Sequence, residues 1–280
     1  MTKTGPAIPY LPAGRRNVTR LRRRLLPFAA LFALIGSDIG AETIIDARYT
    51  TPVDRYGHFA LGRPHEYARL TATTDTGRTL ALQLPEDEVF EDLAPRLVRL
   101  APDEPAELLA IVSRRDSGAR LVMIRLSGDS LAISAQSPAI GTPMRWLNPV
   151  GVADLDGDGR AEIAAVITPH IGGTLKVYRR RGGELVEIAA LAGFSNHVYG
   201  SSELALSAPV SIAGRMHLLV PDATRRHLRI IALERGLLVE TGRCALSAPV
   251  TGAIKQISPH EISVGALSSR QVIVPGDCRK

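Results

Sequence analysis

Past residue 41 the chain is a succession of short apolar runs separated by Gly, Pro, Asp and Ser, and helical spacing is sustained nowhere. The runs are rich in Val, Ile and Leu and only a few residues long, which predicts an all-β fold built from many short strands. The pattern is most legible in the middle. PVGVA (149–153), EIAAVIT (162–168), GTLKVYR (173–179) and ELVEIAAL (184–191) read as four strands, the last two joined by a tight turn at Gly182 and Gly183.

The unit recurs. ALSAPV stands at 205–210 and again at 245–250, an offset of 40, and RLAPDEPAELLAI (99–111) overlays DLDGDGRAEIAAV (154–166) without a gap. A period of this size in a strand-rich chain predicts a β-propeller over 42–280, with about five four-stranded blades. Its first unit would be HFALG, YARLTAT, TLALQL and EVFEDL, and its last has only three strands before Lys280. TIIDARY (43–49) is therefore expected as a closure strand from the N-terminal end, because pairing the two ends would remove open sheet edges.

Charge separates the ends of the chain. Seven of the 34 basic residues and one of the 28 acids fall in 1–41, which accounts for the whole net charge of +6 and leaves 27 of each sign beyond. That neutrality removes the main argument for a nucleic-acid partner. The basic start, the apolar run Leu25–Gly36 and the exit at Ala41 describe a signal peptide over 1–41, too short to span a bilayer. Arg15 and Arg16 form a twin-arginine pair but lack the apolar residues that would follow it in that export signal. Export to the periplasm or medium is the expectation, with no transmembrane span in the mature chain. The two cysteines, Cys244 and Cys278, then suit an intrachain disulfide near the C-terminal end.

Between two strands lies DLDGDGRAE. Asp154, Asp156 and Asp158 take the first, third and fifth places, Gly159 the bend, the Arg160 carbonyl the seventh and Glu162 the ninth. Oxygen donors around a glycine bend suit Ca²⁺. Ala165 at the twelfth place and the flanking strands exclude an EF-hand. VGVADLDGDGRAEIAAV resembles the FG-GAP or VCBS repeat of integrin-type β-propellers, most clearly over about 150–191. The resemblance implies one structural calcium site held by Asp154, Asp156, Asp158, Arg160 and Glu162, in an exported protein of no established activity.

The function expected from these features is a non-enzymatic binding or scaffold protein, with an unidentified protein or small ligand as partner. The alternative is a hydrolase or lyase with a site at the central channel. Its candidate residues are Arg145 and Trp146, Tyr56 and His58 in DRYGH, and Asn196, His197 and Tyr199 in SNHVYG. Neither a GxSxG elbow nor an HExxH helix is present. Aromatic residues, only 4% of the chain, do not favour carbohydrate stacking, and Arg179–Arg181 read as a solvated hairpin edge.

Overall fold

The structure is a computed structural model that describes residues 42–267 and 269–279. The expected signal peptide, 1–41, lies outside the described residues. Among the described residues nineteen strands follow one another: β1 (Ile44–Pro52), β2 (Tyr67–Thr74), β3 (Thr79–Gln83), β4 (Glu88–Phe90), β5 (Arg96–Val98), β6 (Glu107–Arg114), β7 (Gly118–Ser127) and β8 (Ser130–Gln136). Then come β9 (Leu147–Ala153), β10 (Glu162–Ile167), β11 (Gly173–Arg181), β12 (Glu184–Phe194), β13 (Ala208–Ile212), β14 (Arg215–Pro221), β15 (His227–Glu234) and β16 (Leu237–Ala245). The last three are β17 (Gly252–Ser258), β18 (Glu261–Gly265) and β19 (Arg270–Ile273), followed by a single 3-10 turn at Pro275–Asp277. The all-β expectation holds, and among the described residues no helix is long and apolar enough to cross a membrane.

The strands divide into three sheets. β9 to β12 form an antiparallel meander with the boundaries that the apolar runs suggested, and β13 to β16 form another. β17 to β19 make a three-stranded sheet. Everything from β1 to β12 is linked into one twelve-stranded sheet, through a single parallel pair between Gln136 and Glu184 and a single pair between Tyr67 and Phe90. β4 and β5 share one edge of β6.

This organisation corrects the expected propeller. Neither a closed ring nor five four-stranded blades is present in the strand pairings, and TIIDARY does not close the last sheet. It is β1, antiparallel to β2 from Ile44 opposite Thr74 to Pro52 opposite Tyr67. Tyr49 explains the preference: its ring stacks on Tyr67 at 5.7 Å and on Phe90 at 4.9 Å between centroids, inside a core with Leu70, Leu108 and Val122. HFALG, expected as the first strand of that unit, is instead a loop. The repeat rhythm marked where strands occur, but burial of Tyr49 decided which edge the first of them joins.

The core that matters for the site gathers Leu109, Ile111, Leu121, Met123 and Ile163 around Trp146, which is 1% exposed. Cys244 and Cys278 are bonded, with Cα atoms 4.7 Å apart, tying the chain's end to β16 as expected.

Candidate functional site

Four loops converge at one place. The first joins β1 to β2 and owes its shape to Glu66, a fully buried carboxylate at the entry to β2. Its oxygens accept from the backbone N–H groups of Gly57 at 2.9 Å, His58 at 2.8 Å and Phe59 at 2.9 Å. Three donors aimed at one carboxylate curl the segment and hold Phe59 at a φ of 48°, so HFALG cannot extend into a strand. The curl presents His58. Its Nδ1 lies 2.8 Å from Oε1 of Glu91, which sits just beyond β4, is fully buried and also accepts from the Ser113 hydroxyl at 2.6 Å. A carboxylate oxygen accepts, so Nδ1 carries the proton and Nε2 is the free nitrogen of the ring.

The second and third loops carry a histidine relay whose tautomers follow from its far end. His197 Nε2 is 2.8 Å from the Ser201 carbonyl, which can only accept, so that nitrogen bears the hydrogen and Nδ1 the lone pair. His170 Nε2, 2.7 Å from that Nδ1, must then donate, leaving His170 Nδ1 as an unprotonated base. Burial, followed by the charges of His197, His58 and Arg225, pushes the His170 ring down to about 4. Burial, with Arg225, likewise pushes His197 down to about 4 against the pull of the Ser201 carbonyl. Both rings are neutral at neutral pH. Trp146 lies against them, parallel to His170 with centroids 6.0 Å apart, and its indole N–H donates to the Glu91 carbonyl at 2.8 Å.

The fourth loop precedes β9 and brings Met144 and Arg145. Arg145 accepts the Ala119 N–H on its carbonyl at 2.9 Å. A Cβ at Gly118, where φ is +73°, would stand 2.9 Å from that same oxygen, so only glycine lets the β6–β7 turn pack behind this loop. His58, Arg145, Trp146 and His170 line a cavity of about 160 Å³, with Thr168 beside them and Met144, Ile171 and Tyr199 at its mouth. Tyr199 ties two loops together, its hydroxyl donating to the His58 carbonyl at 2.7 Å. Backbone strain gathers here. Met144 and Thr168 both have φ of 53°, an outlying conformation for a β-branched residue such as Thr168, and strained residues of this kind concentrate at functional sites.

Of the residues singled out in the sequence, His58, Arg145, Trp146 and Tyr199 meet at this cavity. His197 stands behind His170 and orients it. Tyr56 packs edge-on against His58 at 6.0 Å, its hydroxyl titration raised by burial. Asn196 is turned away, its amide donating to the Asn148 carbonyl and the Ser207 hydroxyl. Sequence reasoning missed Glu91 and His170. Glu91 follows the apolar pair Val89-Phe90 and reads as a strand end, and His170 sits in TPHIGG, which reads as a turn.

The acidic loop joins β9 to β10, as expected. Among the described residues, ligand oxygens of Asp154, Asp156 and Glu162 all lie within 4.8 Å of one another; the Asp158 carboxylate is not part of that group. Asp154 caps the turn, accepting from Gly157 N–H at 2.8 Å and Gly159 N–H at 2.9 Å, while Asp158 accepts from Arg160 N–H at 2.8 Å. Arg179, expected at a solvated edge, instead reaches in from β11. Its Nη2 is 2.6 Å from both Asp156 Oδ2 and Glu162 Oε1. Burial lifts the Glu162 carboxyl above the ordinary carboxylate range, opposed by the Leu155 N–H and by Arg179. The donor set is all oxygen, which fits a hard cation, and a guanidinium already gives it positive charge.

No protein-family model matches the chain. No curated protein matches it either. Among solved structures, that of a putative 6-phosphogluconolactonase from Bacteroides fragilis is similar, with a TM-score of 0.43 and 17% identity over 77% of this chain and 67% of that one. That likeness is too distant to assign an activity. The FG-GAP or VCBS membership implied by VGVADLDGDGRAEIAAV is overturned: no family model matches the chain, and the strand pairings join β1 to β12 in one sheet rather than in separate blades. The reading as a non-enzymatic binding or scaffold protein falls with it. It rested on that membership, and it left no role for a cavity lined by oriented bases.

Proposed function

We propose that this chain is a hydrolase that activates water by general-base catalysis in the cleft of His58, Arg145 and His170. The observation that carries the reading is the His58–Glu91 pair, 2.8 Å apart, with the other ring nitrogen left free beside the cavity. A base oriented by a buried carboxylate is the arrangement that proton abstraction needs. His58 Nε2 takes a proton from water as the oxygen attacks, Glu91 stabilises the imidazolium that forms, and the same proton passes to the leaving oxygen. His170 Nδ1 accepts a hydrogen bond from that water or from a substrate hydroxyl. Thr168 is the aliphatic hydroxyl of the lining, and among the described residues no hydrogen bond joins it to His58, so water is taken as the attacking group.

The test is hydrolysis of p-nitrophenyl acetate, butyrate and phosphate by the purified protein. His58→Ala is expected to lower kcat by about 10²- to 10⁴-fold, whereas Thr168→Val keeps it, because the Thr168 hydroxyl is not the nucleophile. Equal rates for wild type and His58→Ala, or no turnover above buffer, would sink the reading.

Two narrower proposals accompany it. Export is supported by the Cys244–Cys278 bond, which persists in oxidising compartments; Edman sequencing of the exported chain should begin at Glu42, and a chain recovered only from the cytosol with free thiols would refute it. Calcium at the acidic loop is supported by the convergence of Asp154, Asp156 and Glu162. Added Ca²⁺ should raise the melting temperature, and an unchanged temperature would count against the ion.

A further inference from the structure

The cleft carries an unbalanced charge. Arg145 lines it, donates only to its neighbour's carbonyl, the Met144 oxygen at 2.9 Å, and makes no salt bridge among the described residues. No acidic side chain lines the same space; Glu91 lies buried behind His58 and is committed to it. A single uncompensated guanidinium over a small cavity selects an anionic or strongly polarised oxygen. The rest of the wall is apolar. Trp146 forms one side, and at the mouth Met144 is 40% exposed, Tyr199 58% and Ile171 64%, a cluster of open apolar surface directly around a polar floor. At about 160 Å³ the space holds on the order of five waters, which admits one short branched chain or a small ring. A phosphoryl group asks for more, since its doubly charged oxygens are ordinarily met by several cations or N–H donors.

We infer that the ligand of this cleft is a carboxylic acyl group with a compact apolar substituent, its oxygen facing Arg145. The inference rests on the hydrolytic reading for its chemistry: water adds to the acyl carbon, the bond to the alkoxy oxygen breaks, and the proton held by His58 leaves with the alcohol. The other product is a small apolar acid, which releases its proton to solvent and pairs with Arg145 as the carboxylate. Arg145 therefore also meets the oxygen on which charge develops during attack.

Trp146 is the one tryptophan in the chain, so its emission reports this cavity directly. Wild type, Arg145→Gln and His58→Ala are titrated with butyrate, benzoate, butyramide and inorganic phosphate. Butyrate and benzoate should give saturable changes in wild type and in His58→Ala, weakened about tenfold to a hundredfold in Arg145→Gln. Butyramide and phosphate should bind at least tenfold more weakly than butyrate. Phosphate binding as tightly as butyrate, butyramide matching butyrate, or carboxylate affinity unchanged in Arg145→Gln would each overturn the inference. The two readings fail separately. Carboxylate binding without ester turnover removes the hydrolytic reading and leaves the acyl site. His58-dependent turnover without carboxylate binding does the reverse.

Discussion

His170 and His197 are the groups whose protonation acid must force. Both titrate near 4 in the folded chain, chiefly because burial penalises the charged ring, and near 6.5 in an unfolded one. Between those values the unfolded chain binds more protons, so stability is complete above about pH 6.5 and is lost as pH falls toward 4. Each histidine contributes a slope of about 1.4 kcal/mol per pH unit when fully coupled to folding. The pair shares a hydrogen bond and titrates together, and urea midpoints between pH 6.5 and 4.5 should fall by an amount that His197→Gln reduces. A slope unchanged in that variant would mean that the relay does not govern acid sensitivity. At this scale the sequence offered candidates in DRYGH, MRW and SNHVYG, and His58, Arg145, Trp146 and Tyr199 among them meet at the cleft. It could not disclose Glu91 or His170, because their roles depend on partners 33 and 27 residues away in the chain.

The β9–β10 hairpin is where element and side chain are hardest to separate. Arg179 on β11 is the positive charge nearest Glu162, whose carboxylate is fully buried. Arg179→Gln removes one partner of that pair and should cost roughly 2–4 kcal/mol, since an uncompensated buried charge is left behind. If the loop takes Ca²⁺, millimolar calcium should restore part of the lost melting temperature; a variant as stable as wild type would remove the electrostatic account of the hairpin. The strands themselves were legible from apolar runs and Asp-Gly turns, and GTLKVYR and ELVEIAAL fall where strands were expected. HFALG was not legible as a loop. Its composition suits a strand, and only the Glu66 carboxylate, reaching three successive N–H groups, turns it aside.

At the scale of the molecule, the Cys244–Cys278 bond closes a loop of 34 residues between β16 and the chain's end. Loop-closure entropy alone gives about 4 kcal/mol for that span. Reduction, or Cys244→Ser with Cys278→Ser, should lower thermal stability, read by calorimetry, and should loosen the bridge between Arg243 and Arg279, read by amide exchange. No change in melting temperature on reduction would show that the bond is incidental to folding. The sequence by itself determined that this chain is all-β, where most strands begin and end, and which two cysteines could meet, because alternation, turn chemistry and cysteine count are local properties. Only the tertiary structure decided the rest. A strand edge offers the same backbone groups to any neighbour, so side-chain packing, as at Tyr49, chose the pairings. The cleft exists because four loops separated along the chain are brought to one place and braced there by Glu66, Glu91 and Gly118.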